Sequence, residues 1–386
     1  MLKAAIIGSA WRTPLGSSVG KVVDRLLAGE RAAAVNARFD ASAYICQLAA
    51  AMPQSVAPSR NARFLRRMGL HAVAVAAEAL AGAGIKGSDR VGLFFGYGGL
   101  RAHWDDLMPA FERQEVGGAN AWNCGLDLLH PFWMLQHLSN NAHAIAAQEL
   151  GARGEGATYG GANAGAQALG AAIRALAAGA VDVALVVGYD SLIEPETLVE
   201  LAARGACVAG AASPATPYDI NAAGFVPGEA AAALVLQRPG EGECIACVQA
   251  QDAADGEKGE ALAGTLARLV RAVAQPGDVV DGAGLARPEY DAQERLAAAQ
   301  VTGDDAALCC IMSAMGQIGA ASSVVQTIAL AELLRRRMLP PIAGLQRAAG
   351  GPLRPLMQAE ATTARSAIGL CAGAPGLAGI IRVELA

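Results

Sequence analysis

The stretch Ala157 to Gly188, "ATYGGANAGAQALGAAIRALAAGAVDVALVVG", reads as a buried strand, a glycine-rich turn, an apolar helix and a second buried strand. That sequence of elements is how many enzymes present a nucleophile on a sharp elbow. The turn, however, holds Gly160, Gly161, Ala162 and Asn163, so neither hydroxyl nor thiol stands where one is required. Tyr159 and Asn163 flank it, and neither has a base beside it in sequence. Cys309 and Cys310 are adjacent on an apolar strand pattern, which places them on opposite faces as small core residues, and Cys371 is similar. Cys244 and Cys247 form a C-x-x-C within a β pattern, without the second pair or the helix start of a metal or redox site, so no metal is expected. The five histidines, His71, His103, His130, His137 and His143, all precede the elbow on predicted helices or loops and are expected as packed or surface residues.

Composition narrows the class further. Hydrophobic residues make up 53% and charged residues 17% of 386, so much of the chain must be hidden in the fold or against a partner. A net charge of -5 without like-charge runs gives no basic field for nucleic acid. Scattered cysteines and a short, interrupted apolar start point to a reducing cytoplasm, and no apolar run reaches the roughly 18 residues of a membrane span.

The elements that must carry the elbow alternate. A strand at Lys3 to Gly8 is followed by a turn that lacks dinucleotide-binding spacing. A helix is predicted over Asn61 to Ala83, a strand over Val91 to Gly96, a helix from about Pro131 to Leu150, and an apolar strand over Val181 to Gly188. After Arg238, Pro239 and Gly240 the pattern begins again. It runs through strand Cys244 to Gln251, helix Glu260 to Ala274, strands Asp278 to Gly284 and Ala307 to Ser313, and helix Ala321 to Met338. Two final strands, Ser366 to Cys371 and Ala378 to Glu384, close the chain. Two α/β halves in succession, 1–238 and 239–386, suggest a duplicated architecture.

Five blocks resemble the β-ketoacyl synthases of the thiolase fold: "AAIIGSAWRTPLGSSVGKVVDRLLAGE", "HPFWMLQHLSNNAHAIAAQELGARGEG", "GAVDVALVVGYDS", "DINAAGFVPGEAAAALVLQ" and "SAMGQIGAASSVVQTIALAELLRRRMLPP". They cover nearly the whole length in family order. The resemblance implies an α/β thiolase-like fold in which two duplicated halves form a layered α-β-α-β-α unit. It also implies an elbow Cys that takes the acyl chain, two His that assist decarboxylation and hold the oxyanion, and a supporting Lys. Here the Cys position falls on Ala162. The first His, from an H-G-T-x-T turn that reads "AGLAR", falls on Ala283. The second His falls on Gln317, the Lys on Met312, and a gating Phe on Ala374.

Loss of a whole cooperating set leaves no expected condensation chemistry. The chain therefore resembles the chain-length factor of heterodimeric ketosynthases, expected to pair with an active ketosynthase and shape the acyl tunnel of a polyketide, aryl polyene or specialised fatty acid pathway, without a cofactor. In the family the strand before the elbow pairs across a dimer interface, which makes Tyr159, Gly161, Asn163, Phe132, Trp133 and Phe225 candidates for tunnel or interface. "AGFVPGE" (Ala223 to Glu229) is read as a structural loop. Acyl carrier protein could dock on Arg63, Arg66 and Arg67 or on Arg335, Arg336 and Arg337, although the second group also suits a helix end. Two other classes remain open: a priming homologue that decarboxylates malonyl thioesters, which needs both His, and a homodimeric acyl-binding scaffold.

Overall fold

The computed structural model describes residues 2–56, 61–98, 104–117, 126–211, 216–240, 244–253, 262–373 and 376–386. Its principal strands are β1 (Ala4–Arg12), β2 (Val91–Tyr97), β3 (Gly156–Gly160), β4 (Val183–Ser191), β5 (Glu229–Gln237), β6 (Ala246–Ala253), β7 (Val279–Asp281), β8 (Ala307–Cys309), β9 (Ser366–Gly373) and β10 (Leu377–Glu384). The principal helices are α1 (Val19–Leu27), α2 (Arg67–Gly82), α3 (Asn141–Leu150), α4 (Ala164–Ala177), α5 (Pro195–Ala203), α6 (Leu262–Val273), α7 (Pro288–Thr302) and α8 (Ser322–Arg336).

Strand order reveals the duplication that residue identity hides. The hydrogen-bonded order is β8-β7-β9-β10-β6-β1-β5-β4-β2-β3, with a short edge strand at Arg354–Pro355 beyond β8. Read outward from the β1–β6 junction, both halves follow the same path: first strand, fifth, fourth, second, third. The first two pairings in each half are antiparallel and the last two parallel. Where the halves meet, β1 and β6 pair antiparallel.

Small residues decide the layering. In α4, "AGAQALGAAIRALA", eleven of fourteen residues are buried, and the helix packs on β2 and β4 of its own half and on β6 of the other. A helix without a polar face is stable only when covered on all sides. Beside it α8 packs on β9, β10 and β4, so α4 and α8 form the central layer, while α2 covers one outer face and α6 with α7 the other. Polar side chains of α8 donate within the core: Gln326 to Asp281 Oδ2 and to the Leu370 carbonyl, both at 2.9 Å, and Thr327 to the Ser323 carbonyl at 2.7 Å, while Gln326 Oε1 accepts no hydrogen bond among the described residues. The result is the α/β, α-β-α-β-α arrangement of the thiolase-like fold.

Three expectations need correction. The elbow strand β3 is not buried but lies at the sheet edge, paired only with β2, and its residues are exposed or half-buried. The helix predicted from Pro131 to Leu150 is broken into Trp133–Gln136 and α3. Between them Ser139 and Asn140 are weak helix formers, and the Asn141 side chain donates to the Phe64 carbonyl. The strand predicted to Ser313 ends at Cys309, because Asp281 on β7 accepts the Ile311 N–H at 2.8 Å and starts the short helix Ile311–Met315. Cys309 and Cys310 are therefore not consecutive strand residues on opposite faces, although both are buried.

Candidate functional site

The elbow is fixed from both sides. Gly161 donates its N–H to the Tyr97 carbonyl of β2 at 3.0 Å and accepts from Ala164 at 3.1 Å, closing the turn into α4. Its φ of +112° belongs to glycine, and a Cβ there would stand 3.0 Å from Leu377. Asn163 is fully buried. Its Nδ2 donates to the carbonyls of Ala253 and Ala378, at 3.2 and 3.1 Å, and its Oδ1 accepts from Gln167 at 2.8 Å. Asn163 thus pins the elbow to β6 and β10. Ala162 is left facing a cavity of about 660 Å³, with its methyl against Gly373: a Cβ on that glycine would lie 2.1 Å from Ala162 Cβ.

That cavity brings together Gly161, Ala162, Phe225 and Gln317 of the predicted set. Ala283 and Met312 lie just behind it in the core. They form one chain of contacts: Gln317 Nε2 donates to the Ala283 carbonyl at 2.5 Å, the Ser322 hydroxyl lies 3.5 Å from Gln317 Oε1, and the same hydroxyl lies 3.9 Å from Met312 Sδ. The Gln317 backbone is held as well, donating to Val226 and accepting from Gly228 of the "AGFVPGE" loop. Four of the five degenerate positions are therefore neighbours in space, and Ala374 lies outside the described residues.

Chemically the site is quiet. Among the described lining residues there is no Cys, Ser, His or Lys. A methyl at Ala162 forms no thioester, and an amide at Gln317 neither takes up a proton nor gives one near neutral pH. Asp190, the acidic group on the inner wall, is tied to the N–H groups of Ser191 and Ala320 at 2.8 and 3.1 Å.

Behind the cavity lie three buried carboxyls that the sequence reading missed. Burial pushes Glu294 up to about 8, Asp281 to about 7 and Asp291 to about 6. Glu294 accepts the Ala283 N–H at 2.8 Å and the Tyr218 hydroxyl at 2.6 Å, and Asp291 accepts the Tyr218 N–H at 2.9 Å. They fix the turn on which Ala283 sits. For Asp291 and Glu294 the only signal was the spacing of acids in "PEYDAQER" (Pro288 to Arg295), which also suits an ordinary exposed helix.

Phe132, Trp133 and Tyr159 are not in the elbow cavity. The Phe132 ring meets Phe64 edge-on at 4.9 Å, and Trp133 Nε1 donates to Asp106 at 3.1 Å. Trp133 packs against His137, which with Arg66, Arg67, Tyr97 and Glu194 lines a second cavity of about 260 Å³. Gly98 and Asp190 belong to the walls of both cavities. Tyr159 is half-buried on the edge strand.

The remaining charged candidates are occupied. Burial beside Arg67 lowers His71 to about 4, and burial also lowers His137 and His143. His137 bonds the Trp133 carbonyl, His143 stacks on Phe95 at 5.1 Å, and His103 lies outside the described residues. Arg66 pairs with Asp106, and Arg67 with Glu194 and Glu229, while Arg63 lies over the Phe64 ring at 4.6 Å. Arg335 and Arg336 hold Glu332, Arg336 also holds Asp24, and Arg337 caps α8. No group of three or more metal-ligating side chains occurs among the described residues, and none of their helices is long and apolar enough to cross a membrane.

Residues 2–241 match the family described as β-ketoacyl synthase, N-terminal domain. No curated protein matches the chain. Similar solved structures include the ishigamide ketosynthase/chain length factor (TM-score 0.86, 20% identity, 100% of this chain and 99% of that one). A β-ketoacyl synthase from Burkholderia phymatum STM815 is similar over the full length of both chains (TM-score 0.84, 20% identity). So is a chain of AntDE:AntF, a type II PKS acyl-carrier protein in complex with its ketosynthase bound to the hexaketide (TM-score 0.82, 17% identity, 100% of each chain). At these identities the likeness speaks to fold.

Proposed function

This chain belongs to the β-ketoacyl synthase family, and from that premise we propose that it is a non-catalytic, chain-length-factor type subunit that pairs with an active ketosynthase and shapes the space for the growing acyl chain. The observation that carries the reading is the intact elbow with Ala162 at its tip, beside a Gln317 amide spent on the Ala283 carbonyl. Fold and cavity persist while every position that would hold a thiol, imidazole or ammonium carries a neutral side chain. A decarboxylating priming role would need both imidazoles, and Ala283 with Gln317 offers none.

Two features favour a partner. The outer edge of β3 leaves backbone N–H and C=O groups free to extend the sheet. Large apolar side chains are also exposed over 104–138, among them Trp104, Phe111, Met134 and Leu138, at 42% to 69%; clustered exposed apolar surface marks interaction sites. In this reading the partner's strand pairs with β3, Tyr159 and Gly161 sit at the seam, and Phe132 and Trp133 stand beside it. Carrier protein reaches the complex through the ketosynthase, since the arginine groups on this chain are largely committed to internal pairs.

Co-expression with a ketosynthase from the same source tests this. A stable one-to-one complex by native mass spectrometry is the expected result. A homodimer that ignores the partner would replace this reading with the scaffold.

A further inference from the structure

Two free thiols that are far apart in sequence meet beside the "AGFVPGE" loop. Cys46 is fully buried and Cys207 is 6% exposed, and both belong to a small apolar cluster with Leu48, Leu198, Val208 and Val226, separate from the main core that holds Cys309 and Cys310. Within this cluster the two thiols hydrogen-bond each other, which lowers the pKa of Cys46, and Cys46 Sγ also lies 3.5 Å from the Leu48 carbonyl. The backbone holds the meeting in place. Gly210 donates its N–H to the Ile45 carbonyl at 2.7 Å and accepts from the Gln47 N–H at 3.3 Å, so the two cysteine-bearing segments are bonded side by side. Each is also bonded to the loop Ala223 to Glu229: Phe225 bonds Ala206 and Val208, both at 3.0 Å, and the Ala50 N–H donates to the Pro227 carbonyl at 2.8 Å. That loop brings Phe225 to the elbow cavity, whose wall also includes Arg204 and Ala206. Neighbours of both cysteines are exposed, Ser42, Ala43 and Ile45 on one segment and Arg204, Gly205 and Ala209 on the other. The thiols therefore lie just beneath the surface, where a local opening of either segment admits a small reagent without unfolding the core.

We propose that Cys46 and Cys207 form a site of reversible oxidation, joined as an intrachain disulfide by exchange with a low-molecular-weight disulfide. Cys46, as its thiolate, attacks one sulfur of the reagent, so that a mixed disulfide forms and one thiolate leaves. Cys207 then loses its proton and attacks the Cys46 sulfur, closing the intrachain bond and releasing the second thiolate. Both thiolates take up the protons the two cysteines have lost, so two electrons and two protons pass to the reagent, which departs as two thiols. The bond straps residues 42–50 to residues 204–210 across the loop that carries Phe225, and a reducing thiol releases it by the reverse exchange. The site shares no residue with β3 or with 104–138, so its oxidation is read on the chain alone, whether or not a ketosynthase partner binds.

The test is incubation of the purified full chain with oxidised glutathione, followed by peptide mapping without reductant and by thermal unfolding. A cross-linked pair of peptides holding Cys46 and Cys207, with no glutathione retained on either and full reversal by dithiothreitol, is expected. A link between residues so distant in sequence restricts the unfolded chain, so Tm rises by about 3–6 °C on oxidation. Cys46→Ser and Cys207→Ser each abolish the rise, and Cys244→Ser, at a half-exposed thiol elsewhere, leaves it in place. The proposal is overturned if Cys46 and Cys207 stay unlinked in the native chain, if they link only in denaturant, or if glutathione remains on either thiol without exchange. A link that leaves Tm unchanged overturns it as well. Oxidised and reduced wild type are compared directly, so the outcome is decided even where a serine variant fails to fold.

Discussion

Restoring a thiol at Ala162 asks whether elbow geometry alone makes a nucleophile. In Ala162→Cys the side chain enters the cavity on the side away from Gly373, which already touches the methyl. Nothing in the described lining is an imidazole or an amine, so what acts on the thiol is the N-terminus of α4, which lowers its pKa, against partial burial, which raises it, and with the two offsetting it should titrate near the ordinary value of about 8.5. About 3% is then thiolate at pH 7, which alone is a modest handicap. The larger loss is the missing His pair: general acid–base assistance is worth about 10²–10⁴-fold. An oxyanion donor adds about 10²–10³-fold. Taken together the variant should fall at least about 10⁴-fold below a working ketosynthase. Intact-mass measurement after exposure to acyl and malonyl thioesters, with iodoacetamide labelling against pH, reads both quantities. Slow, unassisted acylation, no condensation product and a labelling midpoint near 8.5 are expected. Condensation by this single variant would mean that other groups on the chain replace Ala283 and Gln317, and the reasoning fails.

Glu229, fully buried, accepts from Arg38, Arg67, the Met52 N–H at 2.9 Å and the Ser191 hydroxyl at 3.2 Å. Glu229→Ala removes the buried carboxylate that these donors share, leaving the Met52 N–H without its acceptor while Arg67 and Ser191 keep Glu194, at a cost of about 3–5 kcal/mol. For 386 residues this is a fall in Tm of about 4–6 °C by calorimetry; a fall under 1 °C would show that the buried Glu229 carboxylate does not hold these elements together. Glu294, raised to about 8 from an unfolded value near 4.3, binds a proton in the native state that the unfolded chain releases. Its contribution is therefore fully present below about pH 4 and is lost as pH rises to about 8. Relative to wild type, Glu294→Gln should flatten urea stability between pH 5 and 8 by up to about 1.4 kcal/mol per pH unit, whereas parallel curves would contradict the shift. His71 acts with the opposite sign, since its depressed value makes stability rise between pH 4 and 6.5 in both proteins, so it cancels in the comparison. If α4 and the Phe132–Trp133 region line the partner's tunnel, bulky replacements there shorten the products of the complex, and unchanged product length across several such variants removes the assignment.

Much of the frame was legible because its signals are local. Apolar runs bounded by glycine gave the strands, and the Ala- and Gly-rich run after the elbow foretold a helix with no exposed face. The spacing of five blocks placed Ala162, Gln317, Ala283 and Met312 in one neighbourhood; contacts through Gln317 and Ser322 join the last three, and Ala162 shares the elbow cavity with Gln317. Other features depend on what lies across space. The edge position of β3 follows from strand order, so its apolar composition read as burial. The end of the strand at Cys309 is imposed by Asp281 from the adjacent strand, a contact no window of sequence contains. The Glu294–Tyr218 bond likewise arises only when the two halves close on each other.

Incubating the purified chain alone with acyl- and malonyl-loaded carrier protein addresses the central claim most directly, with released CO2 and the intact mass of the chain followed together. A subunit that contributes shape without reactivity releases none above the uncatalysed rate and keeps its mass. Catalytic decarboxylation, or an acyl group found on any of its side chains, would contradict the account.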